Sequence, residues 1–182
     1  MAQILSIEKS PLRQRLLGQR EQLSAQERLA AEKKISDGLS AKAVTQGWSK
    51  VAVFLPWRGE PDLMSTWRAW HARGIALALP VVVARDAPLL MQAWQPGAPL
   101  IRDAMGLSVP SQAKTLDCDT WLIPCVGVDP TGARLGAGKG FYDRTIAITP
   151  TPWPRVVGVC FDLARHLQIF GEDHDLRLDA CV

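Results

Sequence analysis

Between residues 132 and 144 the chain reads Gly132-Ala-Arg-Leu-Gly-Ala-Gly-Lys-Gly-Phe-Tyr-Asp-Arg144. Gly136, Gly138 and Gly140 leave backbone N–H groups unshielded and free to take positive φ, the conformation in which a chain wraps an anion. Arg134 and Lys139 add positive charge, and the residues after Gly140 are placed to start a helix whose N-terminus attracts the same ligand. Phosphate is the first ligand this composition suits. Asp143 falls in the first turn beside it, where a carboxylate either caps the helix or holds Mg²⁺. The competing reading is a flexible turn between strand and helix, which the charges at 134, 139 and 143 disfavour.

Neither of the two common phosphate loops is present. A Walker loop requires a glycine where Ala133 stands and Ser or Thr where Gly140 stands. A dinucleotide fingerprint requires a third glycine where Phe141 stands, in an early strand–turn–helix unit. The loop is therefore of another kind, and its partners must come from elsewhere in the chain.

The elements that carry it are readable in outline. Ser10-Pro11 is a helix start, with Leu12, Leu16, Leu17 and Leu23 at helical spacing. Ser24-Ala-Gln-Glu27 is a capping box before a second helix with Ala31, Ile35 and Leu39 inward, so the first fifty residues form a helical hairpin. Val51–Leu55 reads as a buried strand ended by Pro56 and followed by the loop Trp57–Asp62. Asp62 caps a helix through Arg73 that turns Leu63, Trp67 and Trp70 inward and ends at Gly74. Further strands are expected at 75–80, 89–94, 120–123 and 155–161, with a helix at 141–148; 95–118 is turn-rich and Cys125–Asp129 reads as a loop near the site. The expected fold is α/β: a single open, mainly parallel sheet flanked by helices, in one domain spanning 1–182. Ligands of such sheets collect beyond the carboxyl ends of the strands, where both the Glu60 loop and the glycine-rich loop fall.

Composition excludes several classes. The 182 residues suffice for one packed core, and 47% apolar with 21% charged residues is ordinary for a folded domain rather than a disordered one. No apolar run approaches the roughly 20 residues of a membrane span. Cys118, Cys125, Cys160 and Cys181 have no C-x-x-C spacing and no leader is recognisable, which points to reduced thiols in the cytoplasm rather than disulfides or zinc. The net charge of +3 comes from residues 1–50, where nine Lys/Arg face five Asp/Glu. That modest excess reads as a solvated helix face, not a nucleic-acid surface.

In order along the chain, Lys9-Ser-Pro-Leu-Arg13, Glu60, Pro124 to Asp129, the Gly132–Arg144 string and His174-Asp175 resemble the 5-formyltetrahydrofolate cyclo-ligase family over almost the whole length. The resemblance implies an ATP-dependent ligase. In the family, the γ-phosphoryl group of ATP is transferred to the formyl oxygen of 5-formyltetrahydrofolate, N10 attacks the activated carbon, and phosphate leaves as the ring of 5,10-methenyltetrahydrofolate closes. Carried over by position, it implies ATP contacts from Lys9, Arg13, Arg134, Leu135, Gly136, Ala137, Gly138, Lys139, Gly140, Phe141 and Tyr142, with Lys139 and Arg134 acting on the transferred phosphate. It implies folate contacts from Leu55, Glu60, Trp94 and Tyr142, and Mg²⁺ on Asp143 and Asp175. The implied substrate is a folate, with or without a polyglutamate tail, and the implied state is a monomer or weak homo-oligomer. Ala137, Phe141 and Val128 depart from the family's usual tyrosine, tyrosine and phenylalanine without removing a charge. A binding module on the same fold without turnover is the alternative.

Overall fold

The computed structural model describes residues 9–112, 114–165, 169 and 176–182. Helices α1 (Lys9–Glu21) and α2 (Ala25–Thr45) form the expected hairpin. Ser24 caps α2: its Oγ accepts from the Glu27 N–H at 3.3 Å while Glu27 Oε2 accepts from the Ser24 N–H at 2.9 Å, the reciprocal pair that the Ser-x-x-Glu spacing predicts.

Strand β1 (Lys50–Ala52) leads through the 53–62 loop to α3 (Met64–Ala72), then β2 (Ala76–Val82) and β3 (Leu89–Trp94). Asp62 accepts from the Met64 N–H at 3.0 Å through Oδ1, and Gly74 leaves α3 at φ +87°. After the β4 (Leu100–Arg102) and β5 (Ser108–Pro110) hairpin come β6 (Thr120–Pro124), β7 (Gly127–Val128) and β8 (Arg134–Leu135). Helix α4 (Phe141–Ile148), β9 (Arg155–Val159), a 3-10 turn at Asp162–Ala164 and β10 (Ala180–Cys181) complete the described elements.

The main sheet has the order β10-β9-β6-β1-β2-β3. Every pairing in it is parallel except that of β3, which runs antiparallel to β2. Alternate residues of its central strands enter two separate cores: Val51, Val53, Leu77, Leu79 and Leu122 pack with α2 and α3, whereas Ala52, Ala78, Trp121 and Ile123 pack with α1 and α4. Both faces are covered, which is why these strands read as continuous apolar runs. Trp67 and Trp70 anchor the first core, their rings 5.2 Å apart edge to face.

The sequence reading missed two small hairpins and β10. In particular, Cys125–Asp129 is not simply a loop: β7 within it pairs antiparallel with β8, Val128 opposite Arg134. Asp129 Oδ1 closes the connecting turn by accepting from Thr131 N–H, Thr131 Oγ1 and Ala133 N–H at 2.7–3.0 Å. This hairpin delivers the glycine-rich loop to the carboxyl edge of the sheet.

Candidate functional site

A cavity of about 590 Å³ opens at that edge. One end is cationic. Lys9 and Arg13 of α1 line it together with the whole stretch from Arg134 to Arg144. The loop stays open because its glycines accept conformations and contacts that a side chain would not. Gly138 (φ +84°) and Gly140 (φ +65°) are left-handed, and a Cβ on Gly138 would lie 3.3 Å from Cζ of Arg13.

Three arginines shape this end. Arg13 Nε donates to the Gly136 carbonyl at 2.8 Å. Arg134 Nη2 donates to Asp143 Oδ1 at 2.6 Å, and its guanidinium lies 5.9 Å from the Tyr142 ring centre. Arg144 donates to the Lys139 carbonyl at 2.9 Å and stacks over Phe141 at 5.1 Å. Arg13 and Arg144 thus hold the Gly136 and Lys139 carbonyls, and the loop enters α4 at its N-terminus, the end of a helix that favours an anion. Lys139 is exposed at the rim.

The other end is apolar with one acid. Leu55, Trp57 and Glu60 from the loop after β1 face Leu79 and Val82 of β2, and Met105 and Leu107 of the β4–β5 hairpin close over them. Burial raises the Glu60 carboxyl to about 7, opposed by the hydrogen bond from the Trp57 N–H (3.1 Å) and by the nearby Arg20 charge. Burial, and secondarily the Glu60 charge, push the Tyr142 phenol upward, so it remains a neutral hydroxyl at the join of the two ends.

The structure thus brings to one cavity Lys9, Arg13, Arg134 through Tyr142, Leu55, Glu60 and Asp143. Asp175 lies outside the described residues. Trp94 must be corrected: it does not line the cavity but packs in the core with Trp67 and Trp70. Because β3 is antiparallel, its first residue, Leu89, is at the cavity and its last is five residues away, roughly 16 Å along the strand. Arg144, Trp57, Arg102 and Met105 were missed. Arg144 was visible as a further cation within the glycine-rich string; the hairpin pair had no local signal.

The donor set also fits a hard cation. Asp143 Oδ1 accepts from Arg134 and from the Leu176 N–H at 3.0 Å, while Oδ2 accepts from no described residue. No cluster of three or more His, Cys, Asp or Glu occurs among the described residues, and a Mg²⁺ ion on Asp143 would take its remaining ligands from outside them, phosphate and water included.

An α/β sheet that gathers a glycine-rich loop, several cations and a half-buried acid around one cavity at its carboxyl edge has the architecture of a small-molecule enzyme. A model of the 5-formyltetrahydrofolate cyclo-ligase family matches residues 6–182. The 5-formyltetrahydrofolate cyclo-ligase of Mycolicibacterium smegmatis is 32% identical over 137 residues, covering 70% of each chain. That of Escherichia coli is 32% identical over 146 residues, 72% of this chain and 76% of its own. Among solved structures, the 5,10-methenyltetrahydrofolate synthetase of Aquifex aeolicus has a TM-score of 0.81 at 27% identity, covering 95% of this chain and 88% of that one. The synthetase of Mycoplasma pneumoniae shares the fold at a TM-score of 0.76 and 22% identity, covering 96% and 98%. The chain belongs to the 5-formyltetrahydrofolate cyclo-ligase family, and its activity is that of a 5-formyltetrahydrofolate cyclo-ligase.

Proposed function

We propose that this enzyme uses ATP, with Mg²⁺, to convert 5-formyltetrahydrofolate to 5,10-methenyltetrahydrofolate, releasing ADP and phosphate. The observation that carries this reading is the division of one cavity into a cationic glycine nest and an apolar, acid-bearing cleft. The nest suits a triphosphate and the cleft suits a reduced pterin, so the γ-phosphate and the formyl group would meet near Tyr142.

An N-formyl group is amide-like: its carbon is a weak electrophile and its oxygen a poor leaving group. Attack of the formyl oxygen on the γ-phosphorus breaks the bond to ADP and turns that oxygen into a phosphate leaving group. N10 then attacks the carbon and gives up its proton to solvent, phosphate departs with the former formyl oxygen, and the imidazolinium ring closes. The residues' work is positioning and charge neutralisation. Lys9, Arg13, Arg134 and Lys139 offset the negative charge of the phosphates, and the loop N–H groups from Gly136 to Gly140 orient them. Glu60 accepts from pterin N–H groups, Leu55 packs against the ring, and Tyr142 packs between the two ligands. Mg²⁺ on Asp143 would neutralise phosphate charge when bound. Asp175 is the second acid of this set by family position.

The reading includes a cytoplasmic setting, in which Cys118, Cys125, Cys160 and Cys181 stay as thiols. No described helix is long and apolar enough to cross a membrane. The enzyme acts as a monomer or weak homo-oligomer, with no part for nucleic acid. A formyl group carrying a heavy oxygen isotope tests the sequence of bonds: the label is expected in the released phosphate. Label in water or retained on folate would overturn the phosphorylation step.

A further inference from the structure

Glu60 reaches the cavity from a turn of unusual conformation. The Glu60 N–H donates to the Trp57 carbonyl at 3.1 Å, and the two central residues, Arg58 and Gly59, both have positive φ, at +48° and +74°. Two positive φ values mark a type I′ turn, which ordinarily takes Asn-Gly. Arg58 is the only non-glycine with positive φ among the described residues. Its Cβ makes that conformation costly in a way glycine's does not.

Both central carbonyls of the turn are held by the helical hairpin. Arg20 Nη2 donates to the Arg58 carbonyl at 2.6 Å, and Arg28 Nη1 donates to the Gly59 carbonyl at 2.9 Å. Arg28 Nη2 also donates to the Arg20 carbonyl at 2.9 Å, which ties α1 and α2 together behind the turn. One helical turn further on, Glu32 Oε1 accepts from the Asp62 N–H at 3.0 Å and holds the far end of the same loop. Arg20 is only 6% exposed, a buried arginine directed at a backbone carbonyl rather than at solvent. Neither Arg20 nor Arg28 lines the cavity; Arg28 acts through the turn, and Arg20 acts both through the turn and by its charge on the Glu60 carboxyl.

We propose that Arg20 and Arg28 are positioning residues for substrate recognition: their guanidinium groups hold Arg58 and Gly59 in the left-handed turn that places Glu60 at the pterin end of the cavity. The proposal rests on the reading of Glu60 as the pterin-binding acid. It assigns two of the nine cations of residues 1–50 a role in folate affinity. Charge-assisted bonds to carbonyls stabilise a conformation that the Arg58 side chain opposes.

The test is steady-state kinetics with 5-formyltetrahydrofolate at saturating ATP. R20Q and R28Q are each expected to raise the folate KM by about fivefold or more while kcat stays within about twofold. In the R28Q/R58G double variant the folate KM returns to within about twofold of that of R58G alone, because glycine takes positive φ without a holding group, whereas R20Q/R58G recovers only the part of the loss not due to the Arg20 charge on Glu60. If R20Q does not fold, R28Q and R28Q/R58G carry the same comparison. A fall in kcat and thermal stability with no folate-specific KM change, unrelieved by R58G, overturns the proposal in favour of a purely structural role. E60Q, measured alongside, separates the two readings. An unchanged folate KM in E60Q overturns the assignment of Glu60 itself; a raised KM in E60Q with none in R20Q or R28Q overturns the positioning proposal alone.

Discussion

Arg134 and Asp143, nine residues apart, meet at 2.6 Å across the base of the glycine-rich loop, with side chains 7% and 22% exposed. Asp143 therefore neutralises a buried guanidinium through one oxygen, while its second oxygen accepts from no described residue. Removing it leaves Arg134 buried without its partner, a costlier change than removing both. Asp143→Ala should lose about 2–3 kcal/mol of stability in denaturant unfolding and at least about tenfold in turnover.

Lys139 is the contrasting case, exposed at the rim and, among the described residues, held only through its backbone carbonyl. Lys139→Ala should cost at most about 0.5 kcal/mol of stability yet lower turnover by at least about tenfold. Near-normal activity in this variant would remove Lys139 from the transferred phosphate, whatever Asp143 does.

The loop's shape makes its own prediction. At Gly138, with φ +84°, an added Cβ strains the backbone and presses on Arg13, which holds the Gly136 carbonyl from the other side. Gly138→Ala should raise the KM for ATP by about tenfold while leaving the folate KM within about twofold. An equal loss for both substrates would mean that the loop serves the cavity as a whole.

Glu60 gives a pH dependence with a defined sign. Burial raises its carboxyl from 4.5 to about 7, so the folded state holds a proton that the unfolded chain releases across that window. Wild-type stability should therefore decline as pH rises from 4.5 to 7 and level off above it. Glu60→Gln, which does not titrate, should gain up to roughly 3 kcal/mol relative to wild type over the same rise, read by urea unfolding at each end. In the same window the folate KM should fall as the carboxylate forms and accepts pterin N–H groups. A folate KM flat across it would contradict that contact.

Trp94 separates core from site. Its ring is buried at the sheet end away from the cavity, and its Nε1 has no partner among the described residues. Trp94→Phe should lose about 1–2 kcal/mol to the space left behind, with folate and ATP KM values within about twofold of wild type. A tenfold folate effect would reinstate it as a substrate contact.

The capping box at Ser24 and Glu27, the tryptophans of α3, the buried run of β1 and the positions of β2 and β6 were legible because each rests on a local pattern of residue types. β4, β5, β7, β8 and β10 have only two or three residues each, too few for any period, and are defined by partners far along the chain. Trp94 was misplaced for a related reason. Side-chain type does not tell which way a strand runs, and β3 reverses against β2. Arg20 and Arg28 read as solvent-facing charges, yet their partners are carbonyls 38 and 31 residues away, and no spacing rule marks a backbone acceptor.

The most direct measurement is formation of the ring-closed chromophore by purified protein given 5-formyltetrahydrofolate, ATP and Mg²⁺, with ADP followed in parallel. The expected result is methenyltetrahydrofolate absorbance rising only when ATP is present, with one ADP released per ring closed. Folded protein that forms no chromophore at saturating substrates, or that forms it equally well without ATP, would contradict the proposed chemistry.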